Sequence, residues 1–345
     1  MTTQVAFLFP GQGSQAVGMG ADIYANSAAA RRVFQTSDEA LGFSLSALCF
    51  HGPEEILRKT INAQPAIVTV SLAFLAAFQE ALSPEHSSWL EPLRPAYTIG
   101  HSVGEWAALV ASGALDLPQS IQLVRERGRL MDREESLCPG SMAAIIGMEA
   151  QPLQEICQEI SSANALQNGP NSHPGLGQVV VANYNAPGQI VISGEREALT
   201  LAGARARERG AKKVMPLAVS GAFHSPVMLP AVEGLATLLQ DAELRHTEIP
   251  IISNISATPL SDADELRVEL SQQIASSVQW ISSIEYLVAA GVTTFIEIGP
   301  GKALTGMIKR IARDVNTLNI SNSNEIEKVV AFVHEQGIIE TGKAG

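Results

Sequence analysis

The pentapeptide Gly100-His101-Ser102-Val103-Gly104 constrains this chain more than any other stretch. Before it runs Ala96-Tyr97-Thr98-Ile99, apolar and strand-like. After it, Glu105-Trp106-Ala107-Ala108-Leu109-Val110-Ala111 reads as a helix. A strand, a sharp turn bearing a serine and a helix form the setting in which G-x-S-x-G presents a nucleophile. The flanking glycines let the backbone turn tightly and leave room for a carbonyl beside the hydroxyl. The helix start aims unpaired N–H groups, Val103's first, at any oxyanion formed there. Without its flanks the motif is weak, and a plain tight turn is the alternative. The flanks favour a nucleophile at Ser102.

Around the elbow, strands and helices alternate. Residues 4–9 read as a buried strand ending in Pro10-Gly11-Gln12-Gly13-Ser14-Gln15, with helices expected at about 21–40, 67–81 and 117–135. This order implies a mainly parallel sheet covered on both faces. After Pro139-Gly140 the rhythm changes to strand 142–148, helix 152–161, strands 179–183 and 189–193, helix 195–210 and strand 212–217. That is β-α-β-β-α-β, the ferredoxin-like pattern. The expected architecture is α/β, with a large domain at 1–139 and 216–345 and an inserted ferredoxin-like domain at 140–215. Strands at 249–253 and 294–298 belong to the large domain, and the tail beyond Gly337 reads as loose.

With 345 residues, 46% of them hydrophobic, the chain can bury a large core. A net charge of −12 argues against nucleic acid or an anionic membrane as main partner. No apolar run approaches the roughly 18 residues that span a bilayer. Met1-Thr2-Thr3-Gln4 lacks the basic region of a signal peptide, so a cytoplasmic location is expected. Cys49, Cys138 and Cys157 fit no zinc or disulfide spacing and read as buried thiols.

A serine hydroxyl needs a base, usually histidine. His51, His86, His173, His246 and His334 lie in polar loops or on helix surfaces, and His101 packs or orients beside the elbow. His224 follows a predicted strand in Val219-Ser220-Gly221-Ala222-Phe223-His224-Ser225-Pro226, at the sheet edge where α/β folds assemble their sites. It also follows the serine in the chain, as the base does in α/β-hydrolases. None of Asp116, Asp132 and Asp241 has a setting that would orient it, and a backbone carbonyl is the alternative. Gly11-x-Gly13-x-x-Ala16 falls short of a dinucleotide fingerprint, because Pro10 precedes it and no acid-ended second strand follows. A loop presenting backbone amides and the Gln12 side chain to the elbow fits better. Arg127 has apolar neighbours (Leu123, Val124, Leu130, Met131) and no evident acidic partner. It is either a solvated helix charge or a clamp for a substrate carboxylate.

Together these residues resemble the malonyl-CoA:acyl-carrier-protein transacylase family of fatty-acid and polyketide synthesis. The likeness runs from Phe9-Pro10-Gly11-Gln12-Gly13-Ser14-Gln15 through the elbow, Arg127-Gly128 and Gly221-Ala222-Phe223-His224-Ser225-Pro226 to Gly299-Pro300-Gly301-Lys302. It implies an α/β-hydrolase-like large domain with a ferredoxin-like small one. It also implies Ser102 as acylated nucleophile, His224 as base and the Gln12 and Val103 amides as oxyanion hole. Arg127 would pair with the malonyl carboxylate, and the Gln273 main-chain carbonyl would orient His224. Val103 and Trp106 replace the family's commoner Leu and Tyr, which should leave the chemistry intact. Phe223 resembles the malonyl-selective members and should crowd an α-methyl group.

The implied reaction is ping-pong transfer from malonyl-CoA to an acyl carrier protein, without cofactor or metal, by a monomer. The carrier is acidic in this family, so docking calls for a local basic patch. Arg205, Arg207, Arg209, Lys212 and Lys213 are one candidate, and Lys302, Lys309, Arg310 and Arg313 another. A solvated face is the plainer reading of either. Rival functions are a stand-alone acyl-thioester hydrolase, which Arg127 speaks against, and an inactive partner in a synthase complex.

Overall fold

The computed structural model describes residues 4–83, 89, 91–165, 169 and 172–339. His86 and the tail from residue 340 lie outside them. The chain builds two sheets. Strands β1 (Gln4–Phe9), β2 (Tyr97–Gly100), β3 (Gly140–Ile146), β4 (Val179–Ala186) and β5 (Gln189–Glu195) are followed by β6 (Lys213–Pro216), β7 (Ile251–Ile252), β8 (Pro259–Leu260), β9 (Val292–Ile298) and β10 (Asn316–Ile320). The first sheet has six strands in the order β10-β9-β1-β2-β7-β8, and the second has four in the order β4-β5-β3-β6. All pairings of the first are parallel except β7 with β8.

β1 lies at the centre of the large sheet, and from Val5 to Phe9 every residue is buried. A strand covered on both faces needs such an unbroken apolar run. In the small sheet the pattern alternates instead. Ile145, Val181, Ile190 and Ile192 pack with the helices Ala150–Ala165 and Arg196–Glu208, whereas Met142, Ala182 and Val191 join the core of the large sheet. Period-two alternation turns one face to the helices and the other to the first sheet. Strand order and antiparallel pairing are those of the expected ferredoxin-like pattern.

Three expectations need correction. The single helix at 21–40 is two, Ala21–Asn26 and Ala28–Leu41, because Ser27 turns extended and caps the second through its side chain to Ala30 N. The helix expected at 67–81 begins seven residues earlier, at Thr60, and runs through Pro65 to Leu82. Tertiary burial of this segment outweighs the hydrogen bond that Pro65 cannot make. By length and composition this helix could also cross a membrane, contrary to the expectation that no such run exists, but 89% of its apolar window is buried inside the protein. It is the core helix, packed between the helices Ala28–Leu41 and Leu117–Leu137.

Candidate active site

Among the described residues, three that are not glycine have positive φ: Ser102 (52°), His224 (58°) and Ala257 (58°). Such a conformation costs a side-chain-bearing residue about 1–3 kcal/mol and persists where surroundings over-determine it. Two of the three face each other. Ser102 Oγ lies 2.7 Å from His224 Nε2.

Ser102 is held at the end of β2 by close packing. A Cβ on Gly100 would sit 1.9 Å from the Gly104 carbonyl carbon, and one on Gly104 would sit 2.2 Å from Phe9 O. No other residue fits either place. Asn254, in the loop after β7, accepts the Ser102 N–H at 2.8 Å and donates to Gly100 O at 2.7 Å. Two such bonds contribute about 0.5–1.5 kcal/mol each, enough to offset the turn's strain. The backbone N–H groups of Gln12 and Val103 make no hydrogen bond among the described residues. The Gln12 side chain, expected to face the elbow, donates instead to Thr60 Oγ1 at 3.3 Å.

His224 follows the loop after β6 and is 3% exposed. Its Nδ1 lies 2.9 Å from Gln273 O and 3.0 Å from Ser276 O. Carbonyl oxygens only accept, so Nδ1 carries the proton and Nε2 is left to accept from Ser102. Backbone carbonyls, and no aspartate, are the acceptors at Nδ1 among the described residues, and Ser276 O is one that sequence reasoning missed. Burial, and after it the Arg127 charge, lowers the imidazole from 6.5 to about 3. His101 is also lowered by burial; it bonds Asn185 Oδ1 at 2.9 Å and packs on Trp280 at 5.3 Å between ring centroids.

Arg127 lies on the helix Leu117–Leu137, whose start is capped by Asp116. Its neighbours Arg125 and Arg129 stack on Phe43 and pair with Glu126. Arg127 is 1% exposed and forms no ion pair among the described residues. Its Nη1 donates to Gln64 Oε1 at 2.6 Å and its Nη2 to Gln273 Oε1 at 2.8 Å, while Ser102 Oγ lies 3.4 Å from Nη2. Gly128 makes this approach feasible, since a Cβ there would meet Ile61 Cα at 2.8 Å. Burial lowers the guanidinium to about 10, with the Glu105 carboxyl partly opposing. Glu105 itself is pushed well above the carboxylate range, by burial first and then by the neighbouring Glu269. A buried cation held by neutral amides can take an anionic group.

Over these groups lies a cavity of ≈ 400 Å³, lined by Gln12, Ser102, Phe223 and His224 from the large-sheet side and by Met142, Asn183, Asn185 and Val191 from the small sheet. Hydrogen bonds join Ser102, Arg127, His224 and Gln273, the cavity wall adds Gln12 and Phe223, and Val103 adjoins Ser102 in the chain. Sequence reasoning missed Gln64 and Asn254. Asn254 sits just past the C-terminal end of β7 in the large sheet, whereas His224, expected directly after a strand of that sheet, lies in the loop beyond β6, a strand of the small antiparallel sheet. The basic clusters fare differently: Glu159 pairs with Arg205 and Arg209, and Arg310 bonds Pro187 O and Gln189 Oε1. Lys302, Lys309 and Arg313 form no ion pair among the described residues.

Residues 6–330 match the family described as acyl transferase domain, which sets the class. The chain is 41% identical over 334 residues to the malonyl CoA-acyl carrier protein transacylase of Bacillus subtilis (strain 168), covering 97% of this chain and 98% of that one. It is similar to the acyl-carrier-protein-S-malonyltransferase structure from Bartonella henselae, with TM-score 0.87 and 37% identity over 97% of this chain and all (100%) of that one. A malonyl-transacylase solved in complex with its holo type II PKS acyl-carrier protein has TM-score 0.86 and 34% identity, over 96% of this chain and 100% of that one. The chain belongs to the malonyl CoA-acyl carrier protein transacylase family.

Proposed function

We propose that the protein carries a malonyl group from malonyl-CoA to the phosphopantetheine thiol of an acyl carrier protein through an ester on Ser102. His224 Nε2 takes the hydroxyl proton as Oγ attacks the thioester carbon. The resulting oxyanion is held by the Gln12 and Val103 N–H groups. The C–S bond then breaks, and CoA leaves as the thiol with the proton that His224 held. The carrier thiol repeats the sequence in reverse, and no cofactor or metal enters.

Arg127 carries the reading. A buried cation 3.4 Å from Ser102 Oγ, held by the neutral side-chain amides of Gln64 and Gln273, suits the free carboxylate of a malonyl group. Pairing would also remove the charge that opposes an imidazolium on His224, so the substrate itself would raise the base. Gln273 serves both groups, its main chain orienting His224 and its side chain steadying Arg127. Phe223, buried at the cavity wall, is the proposed selectivity residue against an α-methyl group.

The division into residues 1–139 with 216–345 and residues 140–215 is part of the proposal, supported by a second sheet built entirely from strands between Gly140 and Pro216. A cytoplasmic monomer is part of the proposal, and burial of the apolar helix Thr60–Leu82 inside the protein supports that helix's role as a core element and not a membrane span. The test is labelled malonyl-CoA supplied with holo- or apo-carrier protein. Label should move to the holo form alone and faster than to water. Release mainly to water with holo-carrier present would make the protein a hydrolase.

A further inference from the structure

We infer that Asn254 is a positioning residue for Ser102, fixing the elbow in the one backbone conformation that aims Oγ at His224. This rests on Ser102 being the nucleophile. Asn254 is 1% exposed and both faces of its amide are committed to the elbow: Oδ1 accepts from Ser102 N and Nδ2 donates to Gly100 O. A carboxylate could make only the first bond, and an ammonium or guanidinium only the second. A neutral amide is the group that makes both.

The loop carrying it is itself fixed on several sides. β7 pairs with β2 through Ile251 and Thr98, which brings the end of β7 beside the elbow. Ser253 Oγ donates to Glu269 Oε2 at 2.7 Å, and Ile255 N donates to Glu269 Oε1 at 3.1 Å. Asn254 N faces Glu105 Oε1 at 3.4 Å, and Asn254 O accepts from Gln279 N at 2.8 Å. The third positive-φ residue, Ala257, closes this same turn through Ser253 O. The consequence reaches the chemistry. With its own N–H occupied by Asn254, Ser102 offers none to an oxyanion, and the unoccupied Val103 N–H next to it is left for that purpose.

The test uses the purified full chain and two acylating probes. One is malonyl-CoA, read as the single-turnover rate of ester formation on Ser102. The other is a fluorophosphonate, which reacts with an activated serine, needs no Arg127 and tests the elbow even if malonyl-CoA is not the substrate. Asn254→Ala should lower both rates by roughly 10²-fold, the scale of a reacting atom misplaced by about 1 Å. The KM for malonyl-CoA should stay within about twofold of wild type, since the acyl and CoA contacts are untouched. Asn254→Asp, which keeps the acceptor for Ser102 N–H, should recover part of the loss. Rates are taken well below each variant's melting temperature, and if Asn254→Ala does not fold, Asn254→Asp decides alone by a kcat loss at unchanged KM. A folded Asn254→Ala that labels with fluorophosphonate within about threefold of wild type would overturn the inference, as would a loss confined to KM.

Discussion

The C-terminal edge of the large sheet and the facing side of the small sheet enclose one cavity but are built on opposite terms. The large-sheet edge is polar, buried and strained: Ser102 and His224 both sit at positive φ, and Arg127, Glu105 and Gln273 are almost wholly buried beneath them. The small sheet keeps two-residue alternation over most of its length, with register shifts in β4 around Asn183 and Asn185, and it turns Met142, Val191 and those two asparagines to the cavity. Strain and buried charge are tolerated where they are held from several directions. On this comparison the large sheet supplies the reaction, while the small sheet shapes what enters.

Substitutions on the two sides should therefore differ in kind. The largest effect after loss of the serine itself belongs to His224→Ala, which should slow acylation by roughly 10²–10⁴-fold, the contribution of a positioned base. Rapid-quench measurement of acyl-enzyme formation reads it directly, and a loss below tenfold would move the base elsewhere. Substitutions of Met142 or Val191 should change KM or acyl preference and leave that rate nearly intact.

Next comes Arg127→Ala. Losing charge-assisted hydrogen bonds should weaken kcat/KM for malonyl-CoA by roughly 1.5–3 kcal/mol, or about 10–150-fold. Acetyl-CoA, which has no carboxylate, should be used as well as before or better. Arg125→Ala, two residues along the same helix, should affect neither substrate. Equal losses on both thioesters would reduce Arg127 to a structural residue.

Phe223→Ser reaches only the cavity wall, so its effect should be smaller and selective. One methyl group in an apolar pocket is worth roughly 1–3 kcal/mol, so methylmalonyl-CoA should gain about tenfold on malonyl-CoA in relative kcat/KM. An unchanged ratio would place the α-carbon away from Phe223.

The smallest effect concerns pH and stability. His224 is lowered to about 3 when folded, against 6.5 for the ordinary imidazole, so the unfolded chain takes up its proton first as pH falls. Its contribution is fully present above pH 6.5 and is lost progressively from there toward pH 3. At about 1.4 kcal/mol per pH unit, wild type should lose on the order of 1 kcal/mol more stability than His224→Gln between about pH 7 and pH 5.5. Urea melts at the two pH values measure it; parallel losses would mean that His224 is not held neutral by the fold.

Much of this was legible in the sequence because the local signals are strong. Gly100 and Gly104 announce a turn that nothing larger fits, and Gly140 marks the change from parallel to antiparallel rhythm. Residues whose work depends on long-range approach were less legible. Gln64 reaches Arg127 only because Gly128 lets two helices touch, and Asn254 reaches Ser102 from 152 residues away. Polar residues of this kind look like loop or surface positions until the topology places them. The short strand β8 and the early start of the helix at Thr60 escaped for a related reason: packing set them, and propensity did not.

The central claim is that Ser102 carries the acyl group between two thiols. Intact-mass analysis after brief exposure to malonyl-CoA, followed by addition of holo-carrier protein, tests it in one experiment. Wild type should gain one malonyl mass and lose it as the carrier gains the same mass, and Ser102→Ala should do neither. A stoichiometric adduct on Ser102→Ala, or a malonyl carrier formed by that variant at the wild-type rate, would contradict the account.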